Sequence, residues 1–362
     1  MVSHTHSLSS VLLSLLFHLM ERYYLDNSYT HTDTFTHSLT HSHSIIYVAT
    51  KLGRTPLWVD LDPSDNALSV PGTLAVVPIT TNALSMETFA TTGIPPSTAA
   101  PLVMWYSSGT LNNKELFQAQ VTSLGKMIHQ RLAHDVEANA SGIIVNTNGN
   151  IQPDGYQMIL HTIHALDIDI ILIMGHDRLY SMLTSHFKTN DDWSGKIIKL
   201  PRSGGVVSRD AAFHRQSRSL AIKQYFYGAH VKSPITGTKI PELTPFAMQL
   251  PFKDVTLYQL SSITLSNSLL PVGQQQSTEA IQVTPVTISE GLVHTLVCVC
   301  HPAAVQAYAE SGNASDLYES SVAGFCVVEK VQMDTDMLHL LSPCAGTLPS
   351  HTFLIGDITF ME

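Results

Sequence analysis

Ile168-Asp169-Ile170-Ile171-Leu172-Ile173-Met174 is almost continuous Ile and Leu. A run of this kind fits a parallel β-strand covered on both faces, because neither face is left to water. Around it the chain alternates. Gly155 to Leu166 reads as a helix, and before it Gly142-Ile143-Ile144-Val145-Asn146 reads as a second buried-type strand. After it come a helix over His176–Phe187 and a strand over Lys196–Leu200. Strand and helix in this order predict an α/β unit whose helices cross over a parallel sheet. Working back, Phe117, Val121, Leu124, Ile128 and Leu132 recur at helical spacing. Val103-Met104-Trp105-Tyr106 and Pro56-Leu57-Trp58-Val59-Asp60-Leu61-Asp62 read as short strands, the second ending in carboxylates. Ile45 to Leu52 reads as the last turns of a helix stopped by Gly53.

Working forward, residues 201–228 read as a basic turn and helix. Beyond about residue 235 short strands alternate with Pro, Gly and Ser turns: Val255–Leu260, Gln282–Thr284, Leu292–Cys300, Val322–Val328, Met337–Leu341 and Phe353–Phe360. The expected organisation is therefore a central α/β domain over residues 45–234 and a mostly β domain over 235–362. Residues 1–44 differ in texture. Their apolar run, residues 7–20, is shorter than the roughly 20 residues of a membrane span. No Lys or Arg precedes it, as a secretory signal would require. Residues 28–44 are a Thr/His/Ser tract, and seven of the 19 His precede residue 45. No hydrophobic period fixes those imidazoles in space, so a disordered tail or a mis-assigned start is expected in preference to a metal site.

The chain is acidic, with a net charge of −10, so it is no generic coat for nucleic acid and any such contact must be local. Cys298, Cys300, Cys326 and Cys344 form no C-x-x-C pair, and Cys298 and Cys300 alternate on one face of a strand. A reduced core role is expected, in a reducing compartment.

Three features carry chemistry. In open α/β sheets ligands sit at the carboxyl ends of strands, and Asp62 ends one. A carboxylate there can hold Mg²⁺ through water or take a proton from a hydroxyl, or it can simply cap a turn. Asn146-Thr147-Asn148-Gly149-Asn150 follows the Gly142 strand and offers amides, a hydroxyl and close backbone approach. Between Lys196 and Lys223 lie seven Lys and Arg against one acid, Asp210, a local excess of +6. Ser203-Gly204-Gly205 precedes that helix, and Arg forks there suit phosphate oxygens. A nucleoside triphosphate would also call for a G-x-x-x-x-G-K-[ST] loop ahead of the helix ending at Leu52, and no such loop occurs in the 362 residues.

From Tyr47 onward the chain resembles the Clp-type polynucleotide 5′-hydroxyl kinases, a family that includes a subunit of the pre-mRNA cleavage and polyadenylation machinery. The resemblance lies in Leu52-Gly53-Arg54 through Asp60-Leu61-Asp62, Ser69-Val70-Pro71-Gly72-Thr73, Ser203-Gly204-Gly205-Val206-Val207, Tyr225-Phe226-Tyr227-Gly228, Ser321-Val322-Ala323-Gly324-Phe325 and Leu341-Ser342-Pro343. It implies a P-loop NTPase-like parallel sheet with flanking helices, here without its P-loop, followed by a mostly β domain. It also implies ATP and Mg²⁺ as ligands, an RNA 5′ end and other cleavage-complex subunits as partners, a nuclear location and no membrane. By position, it makes Asp62 the carboxylate that activates the hydroxyl and sits near the metal. It gives Arg209 and Arg215 catalytic lid roles, with Arg218 beside them on the nucleotide phosphates. It makes Asn146, Thr147, Asn148 and Gly149 the RNA clasp.

The chain also departs from the family pattern. Asn150 stands where Trp is usual, Asp65 where Gln is usual, and His214 where Arg is frequent. With a lid and no cradle, the chain as it stands is expected to be a very poor kinase. Three readings follow: a kinase with a mis-assigned start, a non-catalytic bridging subunit, or a remnant that does not fold alone.

Overall fold

The computed structural model describes residues 45–79, 99–190, 193–201, 210–228, 230–232, 239–241, 243–262 and 281–360. The expectations for residues 1–44, for the Ser203-Gly204-Gly205 turn and for Arg209 lie outside the described residues.

A helix over 45–51 (α1) ends before Gly53, whose φ of 76° is the left-handed turn that glycine favours. Its Ile46 packs on Trp58, Val77 and Ile79. The strands β1 (Leu57–Leu61), β2 (Thr73–Pro78), β3 (Leu102–Trp105) and β4 (Ile143–Thr147) form one sheet in the order β3-β2-β1-β4. β1 and β4 run parallel, as the alternation predicts, whereas β2 pairs antiparallel with both β1 and β3. The sheet is thus mixed. The connection from Asp62 to Gly72 is shorter than the roughly dozen residues a parallel crossover needs, so β2 has to return antiparallel.

Helices α2 (Lys114–His134), α3 (Val136–Ser141) and α4 (Pro153–Ala165) flank this sheet. Phe117, Val121, Leu124 and Ile128 are all buried, the face that their spacing indicates. α4 leads to β5 (Ile170–Met174), which pairs parallel with β6 (Lys196–Leu200) across helix α5 (Asp177–Asn190). Among the described residues β4 and β5 are not hydrogen-bonded to each other. Their residues are mostly half-buried, which is more exposure than a doubly covered parallel strand normally keeps. Helix α6 (Ala211–Tyr227) is the basic helix. Asp210 caps its start by accepting from Phe213 N at 2.8 Å, and Gly228 follows its end.

The second half contains a seven-stranded sheet in the order β11-β10-β15-β12-β13-β14-β9. A short hairpin of β7 (His230–Lys232) and β8 (Lys239–Pro241) precedes it. The sheet strands are β9 (Phe246–Pro251), β10 (Thr256–Ser262), β11 (Ile281–Pro285), β12 (Thr295–Cys300), β13 (Val322–Gln332), β14 (Met337–Ser342) and β15 (Thr352–Thr359). Between β12 and β13 lie α7 (Pro302–Ser311) and α8 (Ser315–Tyr318). β12 is buried along its whole length, with Leu296, Cys298 and Cys300 on one face and Val297 and Val299 on the other. The first face joins the core of the α/β half and the second has its own cluster, so the three buried cysteines are free thiols inside packed layers. Burial pushes the thiols of Cys300 and Cys326 up to about 12, which suits a core role.

One strand joins the two halves closely. β15 runs past the end of β3, where Asp357 N donates to Ser107 O at 3.0 Å and Ser108 Oγ donates to Asp357 Oδ2 at 2.7 Å. Gly356 lies directly under Ser107, and a Cβ at position 356 would overlap the Ser107 backbone. Ser107 itself holds a φ of 72°, so it has little freedom to give way. Gly356→Ala is therefore expected to lower unfolding stability by about 1–3 kcal/mol. Urea unfolding of the two proteins measures it.

Candidate active site

The β1–β4 pairing sets Asp60 opposite Asn146 and Leu61 opposite Thr147. Two residues on, where the strands end, Asp62 and Asn148 stand in the same relation. Because side chains repeat every second residue on a strand, this makes two rungs of one ladder. In the inner rung, Asn146 Nδ2 donates to Asp60 Oδ1 at 2.9 Å. In the outer rung, Asn148 Nδ2 donates to Asp62 Oδ1 at 3.0 Å.

The inner rung is sealed. Asp60 is fully buried and accepts from Ala67 N on Oδ2 at 2.9 Å and from Asp62 N on Oδ1 at 3.2 Å. Burial pushes its carboxyl up to about 7 and the Asp62 charge adds to that, while the N–H donors of Ala67, Asn146 and Asp62 pull it down. The turn that folds over it is built from the Ser69–Thr73 stretch. Asn66 Nδ2 donates to Thr73 O at 2.9 Å, and Asn66 Oδ1 receives Leu68 N and Ser69 N. Gly72, at φ 80°, donates to Pro63 O and accepts from Tyr106 N, which ties the turn to β3.

The outer rung faces the strand ends. Asp62 Oδ1 accepts three bonds, from Ser64 N at 3.0 Å, Ser64 Oγ at 2.6 Å and Asn148 Nδ2. Its second oxygen, Oδ2, takes no hydrogen bond among the described residues. The carboxylate is therefore held by one oxygen and presents the other. A free oxygen of this kind suits a proton acceptor or a hydrated Mg²⁺, which usually takes one or two carboxylates and keeps several waters. No group of three His, Cys, Asp or Glu that could enclose a metal occurs among the described residues.

Of the expected RNA clasp, Thr147 and Asn148 are half-buried and Gly149 is exposed at the mouth. Asn146 is 1% exposed and turns inward to Asp60, so its side chain supports the site from beneath. Of the cations, Arg215 is exposed on α6, and Arg218 is half-buried with its side chain lying against Gly109. The first turn of α6 stands beside the Asp62 turn, because His214 Nδ1 lies 3.0 Å from Asp65 Oδ2. Sequence reasoning gave Asp60, which is fully buried, only the role of capping a solvated turn, and it did not bring Asp65 and His214 together. The matching Asp-x-Asp and Asn-x-Asn at the ends of two strands were the available signal for the first.

Parallel strands ending in carboxylate and amide, crossover helices and a basic helix at the strand ends define a kinase-like α/β domain joined to a β domain. Residues 40–228 match the family described as "mRNA cleavage and polyadenylation factor CLP1 P-loop", and residues 243–362 match "Pre-mRNA cleavage complex II protein Clp1". The chain belongs to the Clp1 family. It is 33% identical over 320 residues to "Protein CLP1 homolog" of Dictyostelium discoideum, covering 88% of this chain and 64% of that protein. It is 32% identical over 322 residues to "Polyribonucleotide 5′-hydroxyl-kinase Clp1" of Homo sapiens, covering 88% of this chain and 68% of that protein. The chain thus spans about two thirds of the length of these relatives. A solved Clp1p–Pcf11p complex shares the fold, with a TM-score of 0.71 at 23% identity, covering 100% of this chain and 81% of that one.

The Asp60 carboxyl makes the fold sensitive to pH. From its ordinary value of 3.8 up to about 7, the unfolded chain has released this proton while the folded chain still holds it. Stability from this group is full below the lower value and is lost as pH rises through the window, by at most about 1.4 kcal/mol per pH unit. Asp60→Asn is expected to flatten that slope. It should also lower stability by about 1–3 kcal/mol, since one backbone or side-chain donor would then face an amide N–H. Urea unfolding at several pH values, for both proteins, checks both effects.

Proposed function

We propose that this chain serves nuclear pre-mRNA 3′-end cleavage and polyadenylation as a polynucleotide 5′-hydroxyl kinase-family subunit, with the Asp62 turn receiving the 5′ end of an RNA. The observation that carries this reading is the state of Asp62, one oxygen saturated by three donors and the other presented at the strand ends. In this reading Oδ2 accepts the proton of the RNA 5′-hydroxyl, and Asn148 and Ser64 fix the carboxylate's orientation while it does so. Thr147, Asn148 and Gly149 border the path of the terminal nucleotide, and Asn146 braces the floor. Arg209, Arg215 and Arg218 answer the phosphate charge.

The ligands that go with this chemistry are ATP and Mg²⁺. The donor set at Asp62 fits a hydrated Mg²⁺ but not a whole triphosphate, because the backbone nest and its Lys are not among these 362 residues. ATP, where bound, supplies the phosphoryl group. This chain's own residues supply the hydroxyl's alignment, the proton acceptor and lid charge.

Asn150, Asp65 and His214, which depart from the family pattern at chemical positions beside a well-kept β half, favour a second reading, a non-catalytic subunit that bridges partners of the cleavage complex and uses the same cleft only to bind. One experiment separates the two. With a 5′-hydroxyl RNA and labelled ATP, the kinase reading expects labelled 5′ ends, reduced about 10²–10⁴-fold by Asp62→Asn. The bridging reading expects no label from either protein, together with retained binding of RNA and of cleavage-complex subunits.

A further inference from the structure

α6 is fixed at both ends, by different means. At its C-terminal end Phe325 N donates to Tyr225 Oη at 3.2 Å, the Tyr225 and Phe325 rings meet at 5.7 Å, and Phe226 stacks on Phe360. Those contacts belong to the β half and to the packed core. At its N-terminal end the helix carries exposed Ala211, Ala212, Arg215 and Gln216. There His214 turns inward, and its Nδ1 donates to Asp65 Oδ2 at 3.0 Å across 149 residues of sequence. Asp65 lies three residues after Asp62, in the same turn. Its side chain is 9% exposed and that of His214 is 33% exposed. A pair this far out of water is not the freely solvated surface pair that contributes almost nothing. Arg218, one helical turn after His214, shares its face and lies over Gly109 in the loop that follows β3.

We infer that His214 and Asp65 form a clasp that holds the first turn of the basic helix against the Asp62 turn, and so act as positioning residues for the anionic ligand of the site. The geometry explains why the contact matters. Arg215 follows His214 directly and Arg218 lies one turn on, so the reach of both depends on where the first turn sits. A helix held only through its C-terminal half, by Ile222, Tyr225 and Phe226, could swing its first turn about that anchor. The Nδ1–H can be donated by the neutral ring as well as the charged one, so the clasp does not require a protonated imidazole. The inference rests on the reading of the Asp62 turn as the ligand site, and the test keeps the two apart.

The test uses the full chain with His214→Gln, Asp65→Asn, the double variant and His214→Arg. Hydrogen exchange of the amides over 211–218 reports the clasp without any ligand. Fluorescence anisotropy with a short single-stranded RNA bearing a 5′-phosphate, at fixed salt, reports the site. Each single variant is expected to speed exchange over 211–218 and to weaken RNA binding about 3–10-fold. The double variant should be no worse than the worse single one, as coupled partners behave. His214→Arg, which keeps a donor toward Asp65, should recover both readouts to within about twofold of the parent. Unchanged exchange in the single variants, or strictly additive losses, would overturn the clasp. Faster exchange with unchanged RNA affinity would overturn the positioning role. If the parent itself does not bind the RNA, the reading of the site fails, and the exchange data alone decide whether the clasp exists.

Discussion

The hydrogen bond from Asn146 to the buried carboxylate of Asp60 is the constraint on which the site is built. It joins the penultimate residues of two parallel strands, 86 residues apart in sequence. It also brings a charge-bearing group into a core whose neighbours, Trp58, Val59 and Leu61, are hydrophobic and fully buried. A buried carboxyl is costly unless it is satisfied, and here three N–H donors converge on it. One of those donors is the backbone of Asp62 and another that of Ala67. The same carboxyl therefore shapes the turn that carries the outer carboxylate. Satisfying Asp60 fixes the direction in which Asp62 points.

A second constraint lies across the molecule. The α/β half and the β half share one hydrophobic cluster, to which β12 and β15 contribute Leu296, Cys298, Cys300, Leu354 and Ile358. Gln120 on α2 donates to both Trp105 O and Tyr318 O, at 2.8 and 2.9 Å. The basic helix is gripped by the β half through Tyr225. The β half thus acts as a frame for the α/β site, which gives a physical reason for matching stretches to fall in both: Tyr225-Phe226-Tyr227-Gly228 and Ser321 to Phe325 are the two sides of a single contact.

Much of this was legible in the amino-acid order. The helical spacing of Phe117 to Ile128 reports burial directly, because the pattern and the environment are the same fact, whereas Ile170–Met174 forms the strand its run indicates but stays mostly half-buried. Cys298 and Cys300 were placed on one strand face by period alone, and they share one cluster. Other elements were missed although signals existed. α7 opens at His301-Pro302 and closes at Gly312 in the left-handed region, ordinary start and stop marks within a stretch dominated by strand expectations. β2 was hidden because Thr73 to Pro78 carries no alternation: it is buried on both sides and looks like a connector.

Legible in the amino-acid order alone were the alternation of strands and helices, Asp62 just past a strand end and the concentration of cations between Lys196 and Lys223. These are local properties, written in spacing and charge. Of the expected Asn146–Gly149 loop, Asn146 and Thr147 belong instead to β4. It takes the folded chain to show that Asp60, and not just Asp62, belongs to the site, that Asn146 faces inward while Asn148 faces the mouth, and that His214 meets Asp65. Register makes the difference. Which side chains oppose one another depends on how β1 aligns with β4, and on where a distant helix docks, and neither is encoded within any one segment.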